Sequence, residues 1–350
     1  MLRAKLRMTI AAVIVVSLAS PITLAGGPDH AVELHESIDS THTIHLIGLD
    51  PLSLADCNRN GINDFIESAD STFLIITDHF RGNLYQRRVL LRPLVTINDQ
   101  LPLPRGIAVD QEANLAYVGI AGGIARVALE SGEMELIQSN LPGPDGLVLD
   151  EDGQDLLFID GGSDIVGRIH LPTGEFEVLH ALPYPESHAN DLALDSSNST
   201  LILSQNSPGQ PQLSLIDLND PDFEPQPLPV AVEGRANGVA VDPLTGDIFL
   251  ATAGDEGRIW RIDPTSDYSA ELLIDGLGTP SKLLVSRGRR LFWTDGAFGT
   301  INTANLPDVS CMKVVASAID YPWGLALIER DIDINLDGVP DECQVVPTCP

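Results

Sequence analysis

Two stretches of this 350-residue chain place oxygen-bearing side chains at the intervals a hard cation requires. In the first, Asp56, Asn58, Asn60, Asp64 and Glu67 fill positions 1, 3, 5, 9 and 12 of a loop. Gly61 supplies the tight turn at position 6, and Ile62 offers its backbone carbonyl at position 7. The second stretch repeats this order with Asp333, Asn335, Asp337, Gly338, Val339 and Asp341, Val339 again through its carbonyl. Gln344 stands at position 12 there, so the bidentate carboxylate is missing and Glu342 is an imperfect substitute. Calcium takes roughly six to eight oxygens at flexible distances, and this spacing wraps them around one ion. Both stretches are therefore expected to bind calcium; without an ion the same residues make an ordinary Asn/Asp/Gly turn.

A second constellation is spread along the chain. Arg105, Asp145, Asn190, Asn237, Ser281 and Trp323 each stand directly ahead of a short strand: Gly106–Asp110, Gly146–Asp150, Asp191–Asp195, Gly238–Asp242, Lys282–Ser286 and Gly324–Ile328. The starts of these strands are 40 to 47 residues apart. After each of the first five comes a second apolar burst, such as Leu156–Asp160 or Leu291–Asp295, across turns such as Asp242-Pro-Leu-Thr-Gly246. A period of roughly 40–50 residues made of short strands predicts an all-β chain folded as a β-propeller.

Five repeats are complete: 103–140, 141–181, 182–232, 233–276 and 277–317. The sixth first strand, Tyr321–Ile328, has no second strand after it, whereas Phe73–Asp78, Asn83–Arg88 and Leu94–Ile97 lie unassigned near the start. Pairing the two ends predicts a six-bladed propeller over 73–330, its last blade closed by N- and C-terminal strands, which removes an exposed edge. The residues that open the first strands then converge on one mouth of the central channel. That mouth is the expected site for a small molecule or protein. His188, two residues before Asn190, could serve there as a general base, although a polar loop histidine is the plainer reading. Asp78, Asp160 and Asp295 end second strands and are expected to hydrogen-bond neighbouring blades.

Four motifs carry a family resemblance: Pro144-Asp145-Gly146, Ala189-Asn190-Asp191, Ala236-Asn237-Gly238 and Phe292-Trp293-Thr294-Asp295. With them the chain resembles the regucalcin/gluconolactonase family and, more loosely, the NHL and YWTD propellers, over roughly residues 73–328. In the lactonase family one Glu, two Asn and one Asp hold a divalent ion that polarises a lactone carbonyl for attack by water. The resemblance implies Asn190 and Asn237 as the two Asn. The family's Glu falls where Arg105 stands and its Asp where Ser281 stands, while Asp145 keeps the Pro-Asp-Gly setting on a different blade. A metal-dependent hydrolase is thus the alternative to a plain binding module, and an Arg105–Asp145 salt bridge is the structural reading of those two residues. The terminal loops resemble the calcium loops of dockerins and thrombospondin type 3 repeats, which offers a third role in docking to another protein.

Residues 1–25 read as a secretory signal: Arg3, Lys5 and Arg7 precede an apolar run from Met8 to Ala19, and Thr23-Leu24-Ala25 is small enough for cleavage. Residues 26–55, with His30, His35, His42 and His45, read as a polar leader, although a His-rich tract could also bind a transition metal. Export predicts an extracytoplasmic location and paired cysteines. If the loops at 56–67 and 331–350 meet where the ring closes, Cys57 pairs with Cys343 and Cys311 with Cys349, out of three possible arrangements. A Cys57–Cys343 bridge would close a loop worth on the order of 5 kcal/mol in the chain-entropy account. The formal charge of −30 becomes −33 once the signal's three basic residues are removed. That excludes a nucleic-acid face, which needs clustered Lys and Arg, and disfavours anionic membrane surfaces. No run after the signal approaches the roughly 18 apolar residues of a spanning helix, and no nucleophile-elbow, zinc-protease or nucleotide-loop motif is present. Asn198-Ser199-Thr200 fits a glycosylation acceptor.

Overall fold

Short apolar runs cut off by Asp, Asn, Gly and Pro leave the chain few options other than antiparallel strands joined by tight turns. A computed structural model describes residues 72–89, 93–182, 189–206, 212–287 and 289–329. It begins with β1 (Thr72–Asp78), β2 (Asn83–Arg88) and β3 (Val95–Asn98). Blade one is β4 (Ile107–Asp110), β5 (Leu115–Ile120), β6 (Gly122–Ala128) and β7 (Met134–Leu141). Blade two is β8 (Pro144–Leu149), β9 (Asp155–Asp160), β10 (Ile165–His170) and β11 (Glu175–Ala181). Blade three is β12 (Ala189–Asp195), β13 (Thr200–Gln205), β14 (Leu213–Asp217) and β15 (Gln226–Pro227). Blade four is β16 (Arg235–Val241), β17 (Ile248–Ala253), β18 (Gly257–Asp263) and β19 (Ser269–Leu277). Blade five is β20 (Pro280–Val285), β21 (Arg290–Asp295), β22 (Thr300–Asn305) and β23 (Lys313–Ala316). The last strand, β24 (Pro322–Glu329), does not begin a seventh sheet.

Instead β24 joins β1, β2 and β3 in that order to form the sixth four-stranded sheet. Its register against β1 is antiparallel, with Thr72 opposite Glu329, Leu74 opposite Leu327 and Ile76 opposite Leu325. The first and last described strands therefore co-build one blade, and the ring has six.

Burial follows radial position. The second strands β13 and β17 are buried at every residue, because each lies between blades on both faces. The outer strands β7 and β11 are exposed along most of their length and mix polar residues with exposed apolar ones such as Leu136 and Val178. Blade three is the weakest at its rim. Its Pro221, Pro225, Pro227 and Pro229 withhold the N–H groups a ladder needs, and β15 shrinks to two residues.

Six separate apolar clusters hold the blades, one at each interface around the ring. Trp293 and Phe249 meet between blades four and five, and Phe158 and Tyr117 between one and two. The closing blade has a cluster on each side: Leu74 and Ile76 pack with Phe292 and Ile301, and Ile75 and Leu84 with Val118 and Ala125. Closure thus rests on side-chain packing as well as on the β1–β24 ladder.

The expected signal, the leader, both calcium loops, Cys57, Cys343 and Cys349 lie outside the described residues. Cys311 lies in the turn between β22 and β23.

Candidate functional site at one mouth of the channel

The channel wall is set by what occupies one repeated place in each first strand. Gly106, Gly146, Gly238 and Gly324 fill that place in four blades, and each lies against the next inner strand. A Cβ on Gly106 would come within 2.1 Å of the Asp145 carbonyl oxygen, and one on Gly238 within 1.9 Å of the Ser281 carbonyl oxygen. Any larger residue there must send its side chain into the channel. Two blades carry larger residues, Asp191 and Lys282, and those two side chains find each other. Lys282 Nζ donates to Asp191 Oδ1 at 2.6 Å across blade four, with both residues buried. The Val239 N–H donates to the other carboxylate oxygen at 3.1 Å. Burial pushes the Asp191 carboxyl up, while the Lys282 ammonium and the hydrogen bonds pull it back.

Arg105 and Asp145 form a second pair one step nearer the rim, with Nη1 donating to Oδ1 at 2.9 Å. Desolvation raises the Asp145 carboxyl to about 7. Arg105 opposes that rise, and the neighbouring carboxylates Asp160 and Asp191 reinforce it. Burial wins because Asp145 is nearly closed to solvent while Arg105 remains about a third exposed, so water weakens the cation's field. The Arg105 guanidinium also lies 5.5 Å over the Trp323 ring. Its carbonyl accepts the Thr77 hydroxyl at 2.7 Å, and that hydroxyl accepts the Gly324 N–H at 2.7 Å. This relay ties the closing blade to blade one.

Trp323 belongs to an aromatic group carried by the closing blade. Its ring centroid lies 5.0 Å from His79 and 5.6 Å from Tyr321, and Phe80 lies 5.0 Å from Tyr321. His79 is buried, and desolvation lowers its pKa against the pull of its bond to the Pro104 carbonyl.

The two asparagines act as rungs between blades. Asn190 Nδ2 donates to the Ala236 carbonyl at 2.7 Å, and Asn237 Nδ2 donates to the Pro280 carbonyl at 3.0 Å. Ser281 Oγ donates to the Thr279 carbonyl at 3.3 Å. Asp145, Asn190, Asn237, Ser281 and Trp323 line one cavity of about 260 Å³, which Asp191, Arg235, Lys282 and Tyr321 share. Arg105 adjoins it through Asp145 and Trp323. His188 lies outside the described residues.

The terminal aspartates of the second strands do something other than expected. Asp295 accepts the Gly278 and Thr279 N–H groups at 2.9 Å each, and Asp78 accepts those of Asp320 and Tyr321 at 3.0 and 3.1 Å. Asp160 accepts the Gly143 and Gly162 N–H groups. All three fasten the segment that opens their own blade rather than a neighbouring one. The reason is local: each aspartate ends a second strand beside the start of its first-strand partner.

No protein-family model and no curated protein matches the chain. Solved structures do. A chain of the nidogen–laminin complex superposes with a TM-score of 0.64 at 18% identity, covering 73% of this chain and 98% of that one. TolB from Acinetobacter baumannii gives 0.57 at 15% identity, over 74% of this chain and 67% of that one. A gluconolactonase from Xanthomonas campestris gives 0.50 at 20% identity, over 65% and 84%. The likeness is one of fold.

A hard dication wants several anionic or carbonyl oxygens free to turn inward. Here Asp145 is paired with Arg105, Asp191 with Lys282, and Ser281 replaces the carboxylate the resemblance calls for. Among the described residues no group of three His, Cys, Asp or Glu could hold a metal ion. This donor set does not fit a hard dication in the channel.

Proposed function

We propose that this chain is an exported, calcium-binding β-propeller that acts as a binding module, its ligand held at the channel mouth by the surfaces around Trp323, Asn190 and Asn237. The observation that carries this reading is the convergence of strand openings from blades two to five and the closing blade on one cavity. Its buried carboxylates, Asp145 and Asp191, are already engaged by Arg105 and Lys282, which suits holding a ligand better than polarising a bond. Among the described residues no helix is long and apolar enough to cross a membrane.

The calcium part of the proposal rests on sequence and on the register of the closing blade. The first loop ends at Glu67, five residues before Thr72, and the second opens at Asp333, four residues after Glu329. Thr72 and Glu329 are partners across the β1–β24 ladder, so both tails leave from one corner. Ion-filled loops there would latch the ring, with Cys57–Cys343 as the covalent counterpart and Cys311–Cys349 as the second bridge.

Metal analysis of the purified protein separates this from a channel metallohydrolase. About two calcium ions per chain are expected from the two loops, with Asp56→Ala lowering the content, Asn190→Ala leaving it unchanged and chelation lowering the melting temperature. Loss of metal in Asn190→Ala, with retention in Asp56→Ala, would move the ion to the channel and favour the hydrolase.

A further inference from the structure

Charge at the mouth does not follow the charge of the chain. The protein has 20 basic residues against 50 acidic ones, yet the cavity has an uncompensated cation at its rim. Lys282 is engaged by Asp191, and Arg105 by its bond to Asp145. Arg235, which opens β16, is exposed, lines the cavity, and makes no ion pair or side-chain hydrogen bond among the described residues. The closing blade contributes Tyr321 and Trp323 to the same lining, an aromatic pair with centroids 5.6 Å apart. Asn190 and Asn237 each spend their amide N–H on backbone. The cavity volume, about 260 Å³, falls just below the roughly 300 Å³ at which drug-sized ligand pockets start, so only a small molecule fits.

We infer that the mouth binds a small organic carboxylate bearing one flat ring, with the anion on the Arg235 guanidinium and the ring against Trp323 and Tyr321. This rests on the mouth being the binding site and goes beyond it by naming the ligand's chemistry. A guanidinium presents two parallel N–H donors that match a carboxylate, and its charge-assisted bonds are about twice as strong as neutral ones. Aromatic walls add stacking for any flat ring, whatever its substituents. The low net charge of the remaining lining matters equally, since an unpaired carboxylate would repel the anion. In an acidic protein such a site also selects: long-range repulsion slows a multiply charged polyanion more than a singly charged acid.

The test is an equilibrium titration of the full chain, by calorimetry at low salt, with three probes: benzoate, its neutral isostere benzamide, and acetate. Benzoate should bind at least about tenfold more tightly than either comparator, which corresponds to one charge-assisted contact. Arg235→Gln, at an exposed position, should remove the advantage of benzoate over benzamide and leave benzamide binding as it was. Trp323→Ala should weaken both. Equal binding of benzoate and benzamide, or an Arg235→Gln protein that still prefers benzoate, overturns the carboxylate inference alone. If no probe binds, or if binding ignores Trp323→Ala, the mouth reading falls with it.

Discussion

Replacing Lys282 with Met should cost the fold about 3–5 kcal/mol, because it strands a carboxylate inside the ring. Asp191 is 3% exposed, and among the described residues only the Val239 N–H and its own strand's backbone join Lys282 in receiving its charge. Removing the ammonium leaves the desolvation of Asp191 in place and takes away the interaction that offsets it. The same logic predicts recovery when both partners go. Asp191→Leu combined with Lys282→Met places two apolar side chains of similar bulk in the channel and should return the protein to within about 1–2 kcal/mol of the parent, or exceed it. An exposed pair supplies the contrast. Arg126 and Glu135 are joined across β6 and β7 at the surface, with side chains 42% and 64% exposed. Arg126→Ala should cost less than about 1 kcal/mol. Urea denaturation of the four proteins gives the comparison. A Lys282→Met cost no larger than that of Arg126→Ala would show that water reaches the channel floor.

Asp145→Asn should change how stability depends on pH. The Asp145 carboxyl titrates at about 7 when folded, against 3.8 for an ordinary aspartate. Between pH 4 and 7 the folded protein therefore keeps a proton that the unfolded chain has released. Stability must fall as pH rises through that window, and above pH 7 the loss is complete, on the order of 4 kcal/mol. The amide that replaces the carboxyl cannot titrate, so the variant should match the parent near pH 4, be the more stable protein at pH 8, and lack this slope between. Denaturation at pH 5, 6, 7 and 8 measures the difference between the two curves, which cancels the other carboxylates. A variant less stable than the parent at pH 8 would mean that Arg105 holds Asp145 ionised despite its burial.

The fold is legible because each blade needs a second strand buried on both faces beside a first strand largely shielded from solvent, and such strands write themselves as apolar bursts at a fixed interval. Ring closure is legible for the same reason, since β24 lacks a partner downstream and β1 lacks one upstream. Outer strands such as β7 and β11 leave little trace, because a mostly exposed strand tolerates polar residues on either face. The site is legible as a set of positions but not as a set of bonds. Asp191 and Lys282 stand 91 residues apart, and nothing local in either strand announces the pairing. A signal is present nonetheless: Lys occurs at only three positions in the chain, and Lys282 takes a place that glycine fills in four other blades. Arg235 escapes a sequence reading because it begins its strand two residues before Asn237, outside the position that defines the mouth. The roles of Asp78, Asp160 and Asp295 depend on backbone N–H groups, which composition does not reveal.

If the strand openings of five blades act as a single binding surface, amide hydrogen exchange with and without saturating benzoate will show it most directly. Protection should appear together on peptides covering 142–149, 189–195, 235–241, 279–285 and 321–329, the segments that open β8, β12, β16, β20 and β24. The turns at the far ends of two of these strands, 150–154 and 242–247, should be unaffected. Protection confined to those turns or to outer strands such as β7 and β11, or no protection anywhere, would contradict it.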